Sequence, residues 1–194
     1  MDERSLIRLS RSGDRSAFER LVLLKRDRAY RIALNVVGDE DEAKDVAQSA
    51  FIRLWSVIAR YDETQPFDPW FTRIVVNLAI DAYRRRQRLG ETAPQGAAGD
   101  RAVGPAPAGA QHGADAELMR AELRTVFRDI ASALAPAQRV AFTLKEIEGM
   151  ETEEIAQVMG VKASTVRNHL MQARRILRDE LRRRYPEYFK DVTG

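Results

Sequence analysis

The residues with the clearest chemistry lie towards the C-terminal end, where Ser164, Thr165, Arg167, Asn168, Met171, Gln172, Arg174 and Arg175 fall within one twelve-residue stretch at helical spacing. On a helix they share a polar face. Arginine offers paired donors to O6 and N7 of guanine, asparagine and glutamine fit the adenine edge, and the methyls of Thr165 and Met171 suit the thymine methyl. Arg174 and Arg175, further along, suit backbone phosphates. The opposite stripe, Val166, Leu170, Ala173 and Leu177, is apolar and would anchor the helix. Just upstream, Ala156, Gly160 and Val161 supply the small residue, turn glycine and apolar anchor of a helix-turn-helix. A helical hairpin with a merely solvated outer face is the plainer alternative. The turn glycine, the anchors and the Arg/Asn/Gln mixture together favour a face that reads duplex DNA.

Other chemistries find little support. No glycine-rich phosphate loop is present, cysteine is absent, and the two histidines, His112 and His169, stand far apart. No catalytic residue, metal site or cofactor is expected.

Four segments must position these residues. Residues 16–37 read as a helix through Phe18, Leu21, Val22, Ile32, Ala33 and Val36, with Ser16 and Glu19 as a capping box and Gly38 as the stop. Asp39 or Asp41 should open the next helix, with buried stripe Ala43, Val46, Ala47, Ala50, Phe51, Leu54 and Ile58. Residues 60–67 lose the periodicity and read as a loop. Asp68 followed by Pro69 then starts a helix running to about Gln87.

Residues 90–114 are dominated by Gly, Ala and Pro and cannot bury enough surface to offset their ordering entropy. As a flexible coil this linker would hold its ends on the order of 25–30 Å apart and could reach roughly three times as far. A second helical unit begins near Asp115 with the stripe Met119, Leu123, Val126, Phe127, Ile130 and Leu134. A helix led by Pro136 follows, burying Val140, Ala141, Leu144 and Ile147 up to Gly149. Thr152 caps the first helix of the helix-turn-helix, and the reader helix starts near Ala163 or, with Ser164 as cap, slightly later. No strand pattern occurs. The expected class is all-α: residues 1–89 form one domain, 90–114 a linker and 115–194 a second domain carrying the helix-turn-helix.

Composition agrees. The 194 residues hold 32 basic and 29 acidic side chains, for a net charge of +3 and a pI near 9.4. Acids crowd residues 39–45, while bases crowd 84–88 and 174–184, so faces of opposite sign are expected to meet different partners. The lack of cysteine fits a reducing cytoplasm. No apolar segment is long enough for membrane insertion, and no apolar signal core follows Met1.

Read together, the motifs resemble the extracytoplasmic-function type of bacterial sigma factor. Leu134-Ala135-Pro136-Ala137-Gln138-Arg139, Glu146-Ile147-Glu148-Gly149, Glu153-Glu154-Ile155-Ala156, Gly160-Val161, Thr165-Val166 and Ala173-Arg174-Arg175 look like the family's region four. The resemblance implies that Ser164, Thr165, Arg167, Asn168, Met171, Gln172, Arg174 and Arg175 read a minus-35 element. Asp45-Val46-Ala47-Gln48 with Phe51, Arg53, Leu54 and Trp55 looks like region 2.2, which implies docking on core RNA polymerase through its β′ subunit, with β as a further partner. Trp70-Phe71, Arg73-Ile74, the run 77–81 and Arg84-Arg85-Arg86 look like the part that melts and reads the minus-10 element. With Tyr61 and Phe67 as stacking aromatics, that part would comprise Trp70, Arg73, Asn77, Asp81, Arg84 and Arg85. The resemblance also implies promoter DNA and an anti-sigma factor as partners. Lys162 stands where the family often has a serine cap, and Arg167-Asn168-His169 departs from its usual residues, so the sequence read is not carried over. A dimeric helix-turn-helix regulator acting alone, and a helical adaptor that never touches DNA, remain as rivals.

Overall fold

Asp2 accepts the Ser5 N–H at 2.9 Å and so caps a nine-residue helix, α1 (Glu3–Arg11). The computed structural model describes residues 2–88, 125–127 and 129–186. Sequence periodicity does not register α1, because its two largest buried residues, Leu6 and Ile7, are adjacent in a helix of little more than two turns. Helix α2 (Arg15–Val37) is capped by Asp14, whose carboxylate accepts the Ala17 N–H at 3.0 Å; the cap expected at Ser16 lies two residues earlier. Gly38 ends α2 at φ 80°, a left-handed conformation that costs a residue with a Cβ about 1–2 kcal/mol. Asp39 caps α3 (Glu40–Val57) through the Glu42 N–H.

A 3-10 turn, Ile58–Arg60, and a loop lead to α4 (Phe67–Arg88). This helix begins before the expected Asp68-Pro69 boundary, and Asp68 serves another purpose: its carboxylate pairs with Lys25 at 2.5 Å and Arg28 at 2.8 Å on α2. All seven residues of the α3 stripe are buried, packed against α2 and α4.

The C-terminal half resumes with helical residues 125–127 and 129–131, followed by α5 (Pro136–Phe142), a π turn (Thr143–Ile147), α6 (Thr152–Met159) and α7 (Ala163–Arg184). Among the described residues every regular element is helical. The linker expected over 90–114 lies outside the described residues, as do Met119, Leu123 and His112. Val126, Ile130 and Leu134 are buried as expected, with Ala173 and Leu177 of α7 opposite them. Ile147 is not buried: it is 39% exposed. In the π turn the Glu148 N–H reaches back five residues to the Thr143 carbonyl, which rotates Ile147 off the stripe that a regular helix would have continued. Glu151, rather than Thr152, is the residue before α6, and its N–H donates to the Glu154 carboxylate at 2.9 Å.

The two halves share one hydrophobic core. Val140, Leu144, Met150, Ile155 and Val158 belong to the same buried cluster as Leu21, Val36, Leu54 and Val76, and α6 packs on α4. The sequence places a long tether between the halves and does not announce that they meet.

Candidate nucleic-acid interface and docking groove

Helix α7 is set in place by Val166, Leu170, Ala173 and Leu177, all buried, at three- and four-residue intervals. This leaves the other side outward. Ser164, Arg167, Asn168, Met171, Arg174 and Arg175 are exposed, while Thr165 and Gln172 are half-buried. The helix starts at Ala163 with Lys162 as the flanking residue and no side-chain cap, and the Thr165 N–H turns back to the Lys162 carbonyl at 2.9 Å. Gly160, at φ 66°, makes the tight turn from α6. Several of these side chains are held by neighbours. Arg174 donates to Glu146 at 2.6 Å, Arg167 lies 3.5 Å from Glu153, and Gln138 of α5 donates to Gln172, which in turn donates to Asn168. The polar face is therefore partly ordered before any ligand arrives.

On α4, Arg73, Asn77, Asp81, Arg84 and Arg85 are exposed. Their four-residue spacing places Arg73, Asn77, Asp81 and Arg85 on one strip, with Arg84 beside it. The aromatic residues expected to stack bases lie elsewhere. Tyr61 and Phe67 are buried, in a cluster with Trp70 and Phe71 whose ring centroids stand 4.8–6.0 Å apart. Tyr61 donates its hydroxyl to the Gln65 carbonyl, and burial raises its pKa. In this conformation the two rings fasten the 61–66 loop to the core, and only the half-buried Trp70 reaches the surface. The basic end of α4 also meets the acidic start of α3: Arg86 lies 3.6 Å from Glu42 and 3.9 Å from Asp39. The charge runs that the sequence offers to outside partners are thus partly spent on each other.

The third feature is an apolar groove of about 730 Å³ between α2 and α3. Phe18, Val22, Phe51, Ile52 and Trp55 line it, with Gln48, Lys44 and Asp27 among its polar lining residues. Phe18 and Trp55 meet with tilted rings, their centroids 4.7 Å apart at an interplanar angle of 56°. Gln48 lines it, Asp45 and Arg53 are exposed on α3 but are not among its lining residues, Phe51 is buried at its floor, and Trp55 is 38% exposed. Leu54 is wholly enclosed and faces the core, because it continues the Ala47–Ala50 stripe. Its expected contact with a partner is out of reach in this conformation. Ile52, which sequence analysis passed over, is 65% exposed on the rim. A large aliphatic residue one position off the buried stripe was the available signal. Among the described residues there is no cluster of potential metal ligands, and no helix is long and apolar enough to cross a membrane.

Comparison with known proteins identifies the family. Residues 21–89 match the Sigma-70 region 2 family and residues 124–177 match Sigma-70, region 4. The chain is 35% identical over 174 residues to the ECF RNA polymerase sigma factor SigE of Mycolicibacterium smegmatis, covering 88% of this chain and 65% of that protein. It is 32% identical to the probable RNA polymerase sigma factor RfaY of Xanthomonas campestris, covering 91% of this chain and only 43% of that one. With the RNA polymerase sigma-E factor of Streptomyces avermitilis it shares 31% identity over 89% of both chains. Two solved structures share the fold: CnrH in complex with the cytosolic domain of CnrY (24% identity, 94% and 98% coverage, TM-score 0.68) and, from Bartonella quintana, RpoE in complex with the anti-sigma factor NepR (21%, 85% and 96%, 0.63). The chain spans less than two thirds of the first two relatives, but with two sigma regions in the family's order and a relative 31% identical over 89% of both chains, it belongs to the extracytoplasmic-function RNA polymerase sigma factors.

Proposed function

We propose that this chain docks on core RNA polymerase and directs it to promoters, performing no bond chemistry of its own. Residues 1–89 would form the docking and minus-10 domain, 90–114 the tether and 115–194 the minus-35 domain. The observation that carries this reading over a regulator acting alone is the groove between α2 and α3. It offers Trp55 and Ile52 as apolar anchors beside the polar residues Lys44, Gln48, Asp27 and Arg26, the composition of a protein-binding hot spot. Phe51 supports the groove floor and Leu54 the packing beneath it.

Arg73, Asn77, Asp81, Arg84 and Arg85 are the side chains we assign to the minus-10 strand, with Trp70 as the aromatic closest to it. Ser164, Thr165, Arg167, Asn168, Met171 and Gln172 are assigned to minus-35 base edges and Arg174 and Arg175 to phosphates. The place of work is the cytoplasm, where polymerase and promoter are. Because two structural relatives were solved as complexes with CnrY and with the anti-sigma factor NepR, an anti-sigma partner is part of the proposal.

Gel filtration with bacterial core polymerase tests it. The wild-type chain should co-elute, and a variant with Asp45, Gln48 and Arg53 changed to Ala should not. A chain that fails to co-elute yet binds duplex DNA as a dimer would make the regulator the better account.

A further inference from the structure

Helix α1 precedes residue 21, where the match to Sigma-70 region 2 begins, and its two ends hold the segment that joins α3 to α4. Leu6, Ile7 and Ser10 are buried, which seats the helix against α2 and the 58–60 turn. From its first turn Glu3 pairs with the buried Lys25 at 2.9 Å, and Lys25 carries the contact on to Asp68 at the start of α4. From its last turn Arg11 reaches the loop 61–66, its Nε buried and its Nη1 paired with Glu63 Oε1. One short helix thus grips the α3–α4 connection at Glu63 and again, through Lys25, at Asp68.

The loop it grips is folded on itself. Asp62 accepts from the Thr64 N–H at 3.0 Å and from the Thr64 hydroxyl at 2.8 Å, and the Gln65 N–H donates to the Asp62 carbonyl at 3.1 Å. The Thr64 bonds, with the charge of Arg11 adding to them, hold the Asp62 carboxyl below its ordinary pKa. These local bonds fix the loop's shape, and the buried Tyr61, bonded to the Gln65 carbonyl, fixes its base. The Arg11–Glu63 pair fixes its exposed side. Residues 62–66 are all exposed, and they run directly into α4. At 1.5 Å per residue, Trp70 and Arg73 lie about 6 and 10 Å along the helix from Pro66 and head the strip assigned to the minus-10 strand. A shift of the loop is therefore a shift of the wall beside that strip, and reading a base requires its partners to be held within about 0.5 Å.

We infer that α1 is a brace for base selection: Arg11, without touching DNA, positions the 61–66 loop through Glu63 and so tunes which bases the single strand can present at the head of α4. Arg11 is a positioning residue. Its effect on base selection rests on the minus-10 reading of α4; the brace itself does not. The side chains of Arg11 and Glu63 are 31% and 48% exposed, and an ion pair this open to water adds little to overall stability. Breaking it releases the loop and leaves the core of α1, Leu6 and Ile7, in place. The bias such a pair can impose on an equilibrium is no more than about fivefold, enough to tune a preference and too little to decide folding.

The test uses holoenzyme assembled from the full chain and bacterial core polymerase. It is offered two fork-junction DNA libraries, one randomised in the single-stranded segment and one in the duplex, and the bound molecules are sequenced. Arg11→Ala and Glu63→Ala should each reduce discrimination about two- to fivefold at one or two adjacent single-strand positions, with duplex preferences and co-elution with polymerase as in the parent. Arg11→Glu should act like Arg11→Ala, and the exchanged pair Arg11→Glu, Glu63→Arg should restore the parent profile. Thermal midpoints and far-UV circular dichroism should match the parent throughout. In the chain without DNA, hydrogen exchange of peptides spanning residues 61–67 should quicken in the single variants and return in the exchanged pair. Unchanged exchange in Arg11→Ala would overturn the brace. A loosened loop with an unchanged single-strand profile, or a loss spread evenly over all sequences, would overturn its part in base selection. A parent holoenzyme with no preference anywhere in the single strand would overturn the minus-10 reading, and the selection role with it, whatever the exchange data show.

Discussion

Arg174 on the reader helix donates both Nε and Nη2 to a single carboxylate oxygen of Glu146, at 3.2 and 2.6 Å. A phosphate would have to displace that carboxylate. Arg174→Ala should therefore weaken binding to all duplexes alike and reduce the slope of log affinity against log salt by about 1. Glu146→Gln should do the reverse, raising affinity for non-specific duplex. Titration by fluorescence anisotropy at several salt concentrations measures both. Equal effects on matched and mismatched duplexes would place Arg174 on phosphate.

Arg167 stands at the start of the same helix, exposed and only loosely paired with Glu153. Here the expectation is base-specific. Arg167→Ala should cost about 1–3 kcal/mol on the preferred duplex and relax preference at one base pair, with little change on other sequences. Binding to a set of duplexes varied one pair at a time checks this. An unchanged preference would remove Arg167 from base reading.

Leu54 and Trp55 are neighbours with opposite surroundings. Leu54→Ala should destabilise the fold by about 2–5 kcal/mol, as expected of a fully enclosed leucine. Trp55→Ala, at a residue 38% exposed, should change the denaturation midpoint far less while weakening co-elution with core polymerase. Urea unfolding paired with gel filtration separates the two effects.

Gly38 and Gly160 hold φ values of 80° and 66° with no atom closer than 3.9 Å to an added Cβ. Alanine at either therefore tests backbone strain and little else. Each substitution should cost about 1–2 kcal/mol, visible as a lowered thermal midpoint with unchanged helicity.

What the sequence made legible follows from periodicity. The α3 stripe from Ala43 to Ile58 and the α7 stripe from Val166 to Leu177 were readable because each helix buries one regular face, and the outward face of α7 follows by subtraction. Gly38, Gly149 and Gly160 were readable as stops because the left-handed region excludes most other residues. Ile147 escaped because a π turn shifts the period, and Asp68 because its carboxylate answers Lys25 and Arg28 some forty residues upstream. Tyr61 and Phe67 are in sequence loop aromatics that could stack a base or pack their loop down, and the fold shows them filling the space beneath it. The hydrogen bond that Arg139 of α5 donates to the end of α2 leaves no mark at all in the sequence. Its acceptor is the main-chain carbonyl of Val36, which every residue type possesses.

The same contact also orders events in time. Val36 and Arg139 are 103 residues apart, and at a ribosomal pace of about 5–20 residues per second that interval lasts roughly 5–20 s. By its midpoint α3 and α4 have been made, while the end of α2 still has no guanidinium and Arg31 no carboxylate from Glu148. The groove between α2 and α3 is therefore complete before the half that packs on α2 exists.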